Sequence, residues 1–488
     1  MNFVEVEQLL EALPGLNFLV VGDLILDEYL WGTAERISPE APIPVVDVDR
    51  KEYRLGGAGN VANNLIVLGG RVQIASVVGD DEAGDILKRL LTEQGISVAG
   101  IQCISERMTT HKTRVLADNQ QVLRFDREKC LMIDELAEDR ILDFVENALE
   151  NADILLLSDY LKGVLTDRVL GKIIQLAGKY SCQVIVDPKG KDFSCYKGAS
   201  LLTPNQKEAE SAAGIKIYND ESLQVVGGYL YQEFELGALL ITQGSGGMSL
   251  FTGSCSEHFS ADAREVYDVS GAGDTVLSLC AAGLAAGLSV SATAELANLA
   301  AGIVVGKVGT ATVTSAELLV EALKNDRNLH SKILSRKRLA SVLDGHRCAG
   351  QKIIFTNGCF DLLHAGHVKY LQKARELGDL LVLGLNSDQS IRRLKGEKRP
   401  LLQQTERAQI LSALDCVDYV TIFSEDTPLE LIHLIRPDVL AKGGDYTAAE
   451  VVGREFVESY GGELILLEFE AGKSTTNIID EVLMRYRE

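Results

Sequence analysis

A rhythm of short apolar runs separated by longer amphipathic segments extends from Leu16 to about Thr314 and resumes at Lys352. Apolar runs of about four to eight residues have the length of strands buried on both faces, and the intervening segments carry the spacing of helices that cover a sheet. The pattern predicts two α/β units, each a mainly parallel sheet layered with helices. In the first, strands are expected at Asn17–Leu24, Val72–Val78, Ile154–Leu157, Val184–Val186 and Ala238–Ile241. In the second they are expected at Lys352–Thr356, Leu380–Leu385, Tyr419–Phe423 and Glu463–Leu467. The expected division is a first domain over 1–325, a Lys- and Arg-rich linker over 326–350, and a second domain over 351–488.

Composition narrows the partners. A formal net charge of −22 repels nucleic acid and anionic membranes, so any phosphate site has to be built locally from backbone dipoles and a few placed cations. Nine scattered cysteines without a C-x-x-C pair suggest reduced thiols rather than disulfides or a zinc ribbon. Met1–Leu10 holds two glutamates and no Lys or Arg, unlike a secretory leader. The apolar stretch Leu277–Gly306 contains Glu295 as its single charge, and Gly283, Gly287 and Ser289–Thr293 break it into two buried helices rather than one membrane span. A cytoplasmic enzyme with no membrane or nucleic-acid partner is expected.

Polar residues gather where the first unit's strands end: Asp23, Asp159, Asp187 and the Gln243-Gly244 turn. Ligands of open α/β sheets collect at that edge. Between Trp31 and Val48 a proline-punctuated, β-like segment around Arg36-Ile37-Ser38-Pro39-Glu40-Ala41-Pro42 suits an excursion from the sheet, a lid or a dimer clasp. The sharpest motif is Asp268-Val269-Ser270-Gly271-Ala272-Gly273-Asp274-Thr275, which leads straight into an apolar helix. Glycines let successive N–H groups converge, and a helix N-terminus adds about half a positive charge where a phosphoryl group would sit. Asp274 stands where it could take a proton from an attacking hydroxyl.

With Gly56-Gly57-Ala58-Gly59-Asn60 and Thr203-Pro204-Asn205-Gln206-Lys207-Glu208, this set resembles the ribokinase family of carbohydrate kinases over about residues 10–315. The resemblance implies a three-layer α/β domain with a β lid. Asp274 would be the base, and Gly271, Ala272 and Gly273 the anion hole. Asn205, Gln206, Lys207 and Glu208 would form the ATP element, with Mg²⁺ arriving on ATP, possible contact through Glu208 and no direct protein cage. Asp23, Asp27, Gly56, Gly57 and Asn60 would hold the sugar, with Arg124, Lys162 and Lys189 as cations for a phosphate already on it.

In the second unit the strand Ile353–Thr356 runs into Asn357-Gly358-Cys359-Phe360-Asp361-Leu362-Leu363-His364-Ala365-Gly366-His367. Histidines three apart share a face on a first helical turn, beside the positive end of the helix. The segment resembles the H-x-G-H nucleotidyltransferases, with their smaller Rossmann-like, cytidylyltransferase-like fold. That likeness makes His364 and His367 catalytic. It assigns Thr356, Asn357, Gly358, Cys359, Phe360, Asp388, Arg393, Lys395, Lys442, Gly443, Asp445, Ser474, Thr475 and Thr476 to the nucleotide.

The joined halves resemble the bifunctional heptose enzymes of bacterial lipopolysaccharide synthesis over nearly the whole chain. This implies a kinase that converts D-glycero-β-D-manno-heptose 7-phosphate to the 1,7-bisphosphate. It also implies an adenylyltransferase that makes ADP-heptose from the 1-phosphate and ATP after a separate phosphatase has acted, in a homodimer. A different sugar kinase fused to a CTP-using cytidylyltransferase, and a sugar sensor with retired domains, remain as alternatives.

Overall fold

The computed structural model describes residues 3–117, 120–253, 255–261, 267–325, 332–348, 350–443, 447, 450–467 and 484–485. The chain divides into two compact units, Phe3–Leu318 and Leu319–Glu488.

The first unit contains thirteen strands among its described residues: β1 Asn17–Gly22, β2 Leu24–Ile37, β3 Pro44–Gly57, β4 Arg71–Gly79, β5 Ser97–Ile104, β6 Thr110–Ala117, β7 Gln120–Arg127, β8 Ile154–Ser158, β9 Gln183–Asp187, β10 Leu201–Leu202, β11 Leu239–Thr242, β12 Met248–Thr252 and β13 Cys255–Phe259. Nine of them form one sheet in the order β13-β12-β11-β10-β9-β8-β1-β4-β5. The pairs from β5 across to β11 are parallel, and β12 and β13 add an antiparallel edge. All five predicted strands are present.

Alternate residues explain the layering. Leu19, Val21, Leu155 and Leu157 pack with Ile141, Val145, Val169 and Ile173 of the helices Glu135–Leu149 and Asp167–Lys179. Phe18, Val20 and Leu156, which point the other way, are equally buried. The helices Ala58–Val67 and Ala272–Ala285 pack together on that side, against β1, β8 and β9. The apolar stretch after Leu277 does break: one helix ends at Ala285, Gly287 has a φ of 82°, and a second helix starts at Val290 under a Ser289 cap. No helix among the described residues is long and apolar enough to cross a membrane.

The excursion is larger than the proline pattern suggests. β2 and β3, 14 residues each, form a long hairpin, and β6 and β7 extend it into a separate four-stranded sheet, β3-β2-β6-β7.

In the second unit β14 Ile353–Gly358, β15 Leu380–Asn386, β16 Tyr419–Phe423, β17 Val439–Gly443 and β18 Glu463–Leu467 form an all-parallel sheet, order β16-β15-β14-β17-β18. The expected linker needs correction. Within it Arg336–Cys348 is a helix of the second unit, packed on the helix Leu429–Ile435 and on β16. His346 shares a 2.7 Å hydrogen bond with the Tyr419 hydroxyl, and Lys332 Nζ donates to the carbonyl oxygens of Leu414 and Val417.

Candidate active sites

In the first unit, Gly271 enters the helix Ala272–Ala285 with a φ of 81°, a left-handed conformation that favours glycine. A Cβ there would also lie 2.8 Å from the Asn60 amide nitrogen. The turn sets Asp274 in the first helical turn, 2% exposed, beside N–H groups that have no partner within the helix. Two side chains hold its carboxylate: Asn60 Nδ2 donates to Oδ2 and the Tyr160 hydroxyl to Oδ1, both at 2.8 Å. Burial lifts its pKa to about 6, against the lowering effect of these two hydrogen bonds. The result is a proton acceptor that is ionised at neutral pH yet basic for a carboxylate.

Around it stand Asp187, Lys189 and Glu208. Asn205 and Glu208 form a capping box at the helix Gln206–Ala213, so this pair shapes the helix end as well as lining the site. Lys189 Nζ bonds to Glu208 Oε1, leaving that glutamate committed on both oxygens. Burial raises Asp187 well above the usual carboxylate range; Lys189 opposes this, while Glu208 and Asp274 add to it. A divalent cation beside Asp187 would offset the cost of burying its charge. Gln206 donates to Glu210 and Ile217 within its own helix region, and Lys207 is exposed.

Asp27 is buried on β2 and takes a hydrogen bond from Arg114 Nη1 at 2.5 Å. Gly56, which pairs with Ile25 across the hairpin and lies diagonally from Asp27, leaves room for that carboxylate: a Cβ there would sit 2.5 Å from Asp27 Oδ2 and push it aside. Gly57 then opens the Ala58–Val67 helix that carries Asn60. Asp23 departs from its expected role. Its carboxylate accepts backbone N–H bonds from Tyr160, Lys162 and Val164, so it braces the loop that delivers Tyr160 rather than reaching for a sugar. Arg124 pairs with Asp126 on β7, and Lys162 with Glu128.

The second unit encloses a cavity of about 770 Å³ at the carboxyl ends of its strands. Asn357, Gly358, Cys359, Phe360, His367, Lys395, Lys442 and Gly443 line it, as do Tyr370, Asn386 and Arg399. His364 stands at the N-cap position of the helix Ala365–Arg375, and its ring stacks on that of His367, ring centres 3.8 Å apart. Burial, then the neighbouring His364, pushes His367 down to about 4, so its imidazole is a neutral hydrogen-bond donor at pH 7. Lys442, on β17, bonds to Asn357 Oδ1 at 2.6 Å, and burial lowers it to about 8. Burial raises the Cys359 thiol, which is no activated nucleophile.

Three expected nucleotide contacts have other work. Thr356 is fully buried with its hydroxyl on Tyr370. Asp388 receives Arg407 Nη2 at 2.6 Å, and Arg393 pairs with Asp426. Asp445, Ser474, Thr475 and Thr476 lie outside the described residues.

Tyr160, Tyr370 and Arg407 escaped the sequence reading. Arg407 is 1% exposed and bonds to the carbonyl oxygens of Cys359, Asn386 and Leu402, fixing the cavity floor. Its signal was an arginine at a position that shares a buried helix face with Ala408 and Leu411.

Comparison with known proteins agrees with this geometry. Residues 17–317 match the pfkB family of carbohydrate kinases, and residues 355–480 match the cytidylyltransferase-like family. The chain is 54% identical to the bifunctional protein HldE of Syntrophotalea carbinolica, with all of both chains covered, and 55% identical to that of Geobacter sulfurreducens, with 99% of each covered. Among solved structures, phosphofructokinase-2 from Escherichia coli superposes with a TM-score of 0.56 at 18% identity, covering 64% of this chain and all of that one. Arabidopsis thaliana ribokinase gives 0.51 at 20%, covering 63% and 98%; both likenesses speak to the fold alone. Carried by whole-length relatives and by two domains whose sites are both assembled, the conclusion is that the chain belongs to the bifunctional HldE family, a carbohydrate kinase and a nucleotidyltransferase in one polypeptide.

Proposed function

We propose that the first unit phosphorylates D-glycero-β-D-manno-heptose 7-phosphate at C1 with ATP, and that the second joins AMP from ATP to the 1-phosphate, releasing pyrophosphate. The observation that carries the kinase half is Asp274, gripped by Asn60 and Tyr160 at the positive end of its helix. There it takes the proton of the C1 hydroxyl as that oxygen attacks the γ-phosphorus, while the first-turn N–H groups meet the charge on the moving phosphoryl group. Mg²⁺ would arrive on ATP and neutralise phosphate charge there, with Asp187 and the Lys189–Glu208 pair at that end of the site. In the second unit the sugar's own phosphate attacks the α-phosphorus. His367, Lys442, Lys395 and Arg399 face the cavity in which charge builds on the triphosphate.

The masses of products formed from heptose 7-phosphate and ATP test the first step. Heptose 1-phosphate offered with ATP or with CTP tests the second; pyrophosphate release with CTP alone would defeat the adenylyl reading. We also place the enzyme in the cytoplasm as a homodimer, with neither membrane nor nucleic acid as partner. Exposed Ile37, Val48 and Phe125 on the lid sheet, and Ile43 in the turn between β2 and β3, support the dimer, and sedimentation of the intact chain as a monomer in the ultracentrifuge would refute it.

A further inference from the structure

Asp274 is 2% exposed, out of reach of the water that ordinarily holds a carboxylate's charge. Its support therefore comes from the groups that face it. The helix Ala58–Val67 supplies the Asn60 amide to Oδ2, and the loop after β8 supplies the Tyr160 hydroxyl to Oδ1, each at 2.8 Å. Lys189, just beyond β9, adds positive charge, while Asp27 of β2 and Asp187 of β9 add negative charge. Among the described residues, the phenol is the one side chain that donates to Oδ1.

The loop that carries Tyr160 is tightly braced. Four N–H groups within residues 160–164 end on two buried carboxylates. Tyr160 and Lys162 donate to Asp23 Oδ2 at 3.0 and 2.9 Å, Val164 to Asp23 Oδ1 at 3.2 Å, and Leu161 to Asp159 Oδ1 at 2.8 Å. The Tyr196 hydroxyl fixes Asp159 in turn, at 2.6 Å. Leu161 sits at a φ of 53°, a left-handed conformation that is unfavourable for a residue with a Cβ. Gly163 has a φ of 98°, and a Cβ there would meet the Leu131 carbonyl oxygen at 2.0 Å. Backbone held against its preference by buried acids marks a segment whose placement matters. What the placement achieves is the phenol on Asp274. Burial, with Asp274 and Asp187 adding to it, lifts the phenol well above its usual range, so Tyr160 keeps its proton and can only donate to the carboxylate. The ammonium groups of Lys112 and Lys189, 5.5 and 5.6 Å from the ring centre, steady the ring.

We propose that Tyr160 is a positioning residue of the sugar kinase: its phenol keeps the Asp274 carboxylate charged and aimed for the acceptor hydroxyl. This assignment rests on the kinase reading above and deepens it. Tyr160 acts through Asp274. Burial favours the neutral acid there, and the donors Asn60 and Tyr160 oppose it by bonding to the charged form.

The test is Tyr160→Phe, which removes one oxygen and keeps the ring. Sugar phosphorylation by the intact chain is followed across pH, with pyrophosphate release by the second unit as the internal control. The half-point of the acid limb should rise from about 6 to about 7 or above, the direction for a carboxylate that loses a donor to its charged form. KM for ATP and for the sugar should hold. A fall that is uniform across pH is what a merely structural tyrosine would give, and it would overturn the assignment. An unmoved limb, or a loss carried by either KM, would do the same. Should the wild type phosphorylate no sugar at any pH, the kinase reading fails instead, and the titration of Asp274 decides the pairing by itself. In NMR of protein isotope-labelled at the aspartate carboxyl carbons, the resonance missing from Asp274→Asn should titrate at higher pH in Tyr160→Phe than in the wild type. Equal midpoints would overturn the proposal.

Discussion

In the kinase unit the titratable group nearest the chemistry is an acid moved up, Asp274 to about 6. In the transferase unit the groups are bases moved down, His367 to about 4 and Lys442 to about 8. Burial leads in all three cases, because leaving water disfavours whichever form is charged. The same physical cause thus gives one site a usable proton acceptor and the other a neutral imidazole next to an ammonium that sheds its proton easily. A kinase has to dispose of the acceptor hydroxyl's proton. A phosphate nucleophile arrives already ionised and needs only its charge, and that of the triphosphate, to be met.

The sharpest way to break this comparison is Asp274→Asn. Kinase turnover should fall about a thousandfold, within the range for loss of a general base, while pyrophosphate release by the second unit stays unchanged in the same preparation. Persistent sugar phosphorylation would remove the base assignment. His367→Ala should do the reverse at about a hundredfold, as for loss of one donor to developing charge; unaltered nucleotide transfer in that variant would refute its role.

The pH profiles should separate in opposite directions. Kinase rate requires ionised Asp274, so it should drop about tenfold per unit as pH falls below about 6. Transferase rate should be insensitive to His367 across neutrality and should decline as pH rises through about 8, where Lys442 loses its charge. A transferase that gains rate there would exclude a cationic role for Lys442. The smallest effect is expected from Gly56→Ala, whose Cβ crowds Asp27: sugar KM should rise a few-fold, to about tenfold, with ATP KM constant. Unchanged sugar KM would mean that Asp27 does not touch the acceptor.

What the sequence disclosed follows from how local each signal is. Asp274 with its glycines, and the paired histidines, are contiguous motifs, so residue order was enough to find them. Strands buried on both faces announced themselves as unbroken apolar runs. Tyr160 reaches Asp274 across 114 positions, and Arg407 reaches Cys359 across 48, so neither spacing could reveal the contact. Lid strands β6 and β7 mix charged and apolar residues because one face serves the site, and no apolar run marks them. Asp23 looked like a ligand because it ends a strand, and only the loop folded over it shows why it is a brace.

The helix Arg336–Cys348 decides where this polypeptide can be severed. A fragment beginning at residue 351 would expose the ground on which Leu339, Val342 and Leu343 rest, and would strip Tyr419 of its imidazole partner. Begun a few residues before Lys332, the excised half keeps its apolar covering, so two cloned pieces that differ by some twenty residues should part company as soluble product and aggregate.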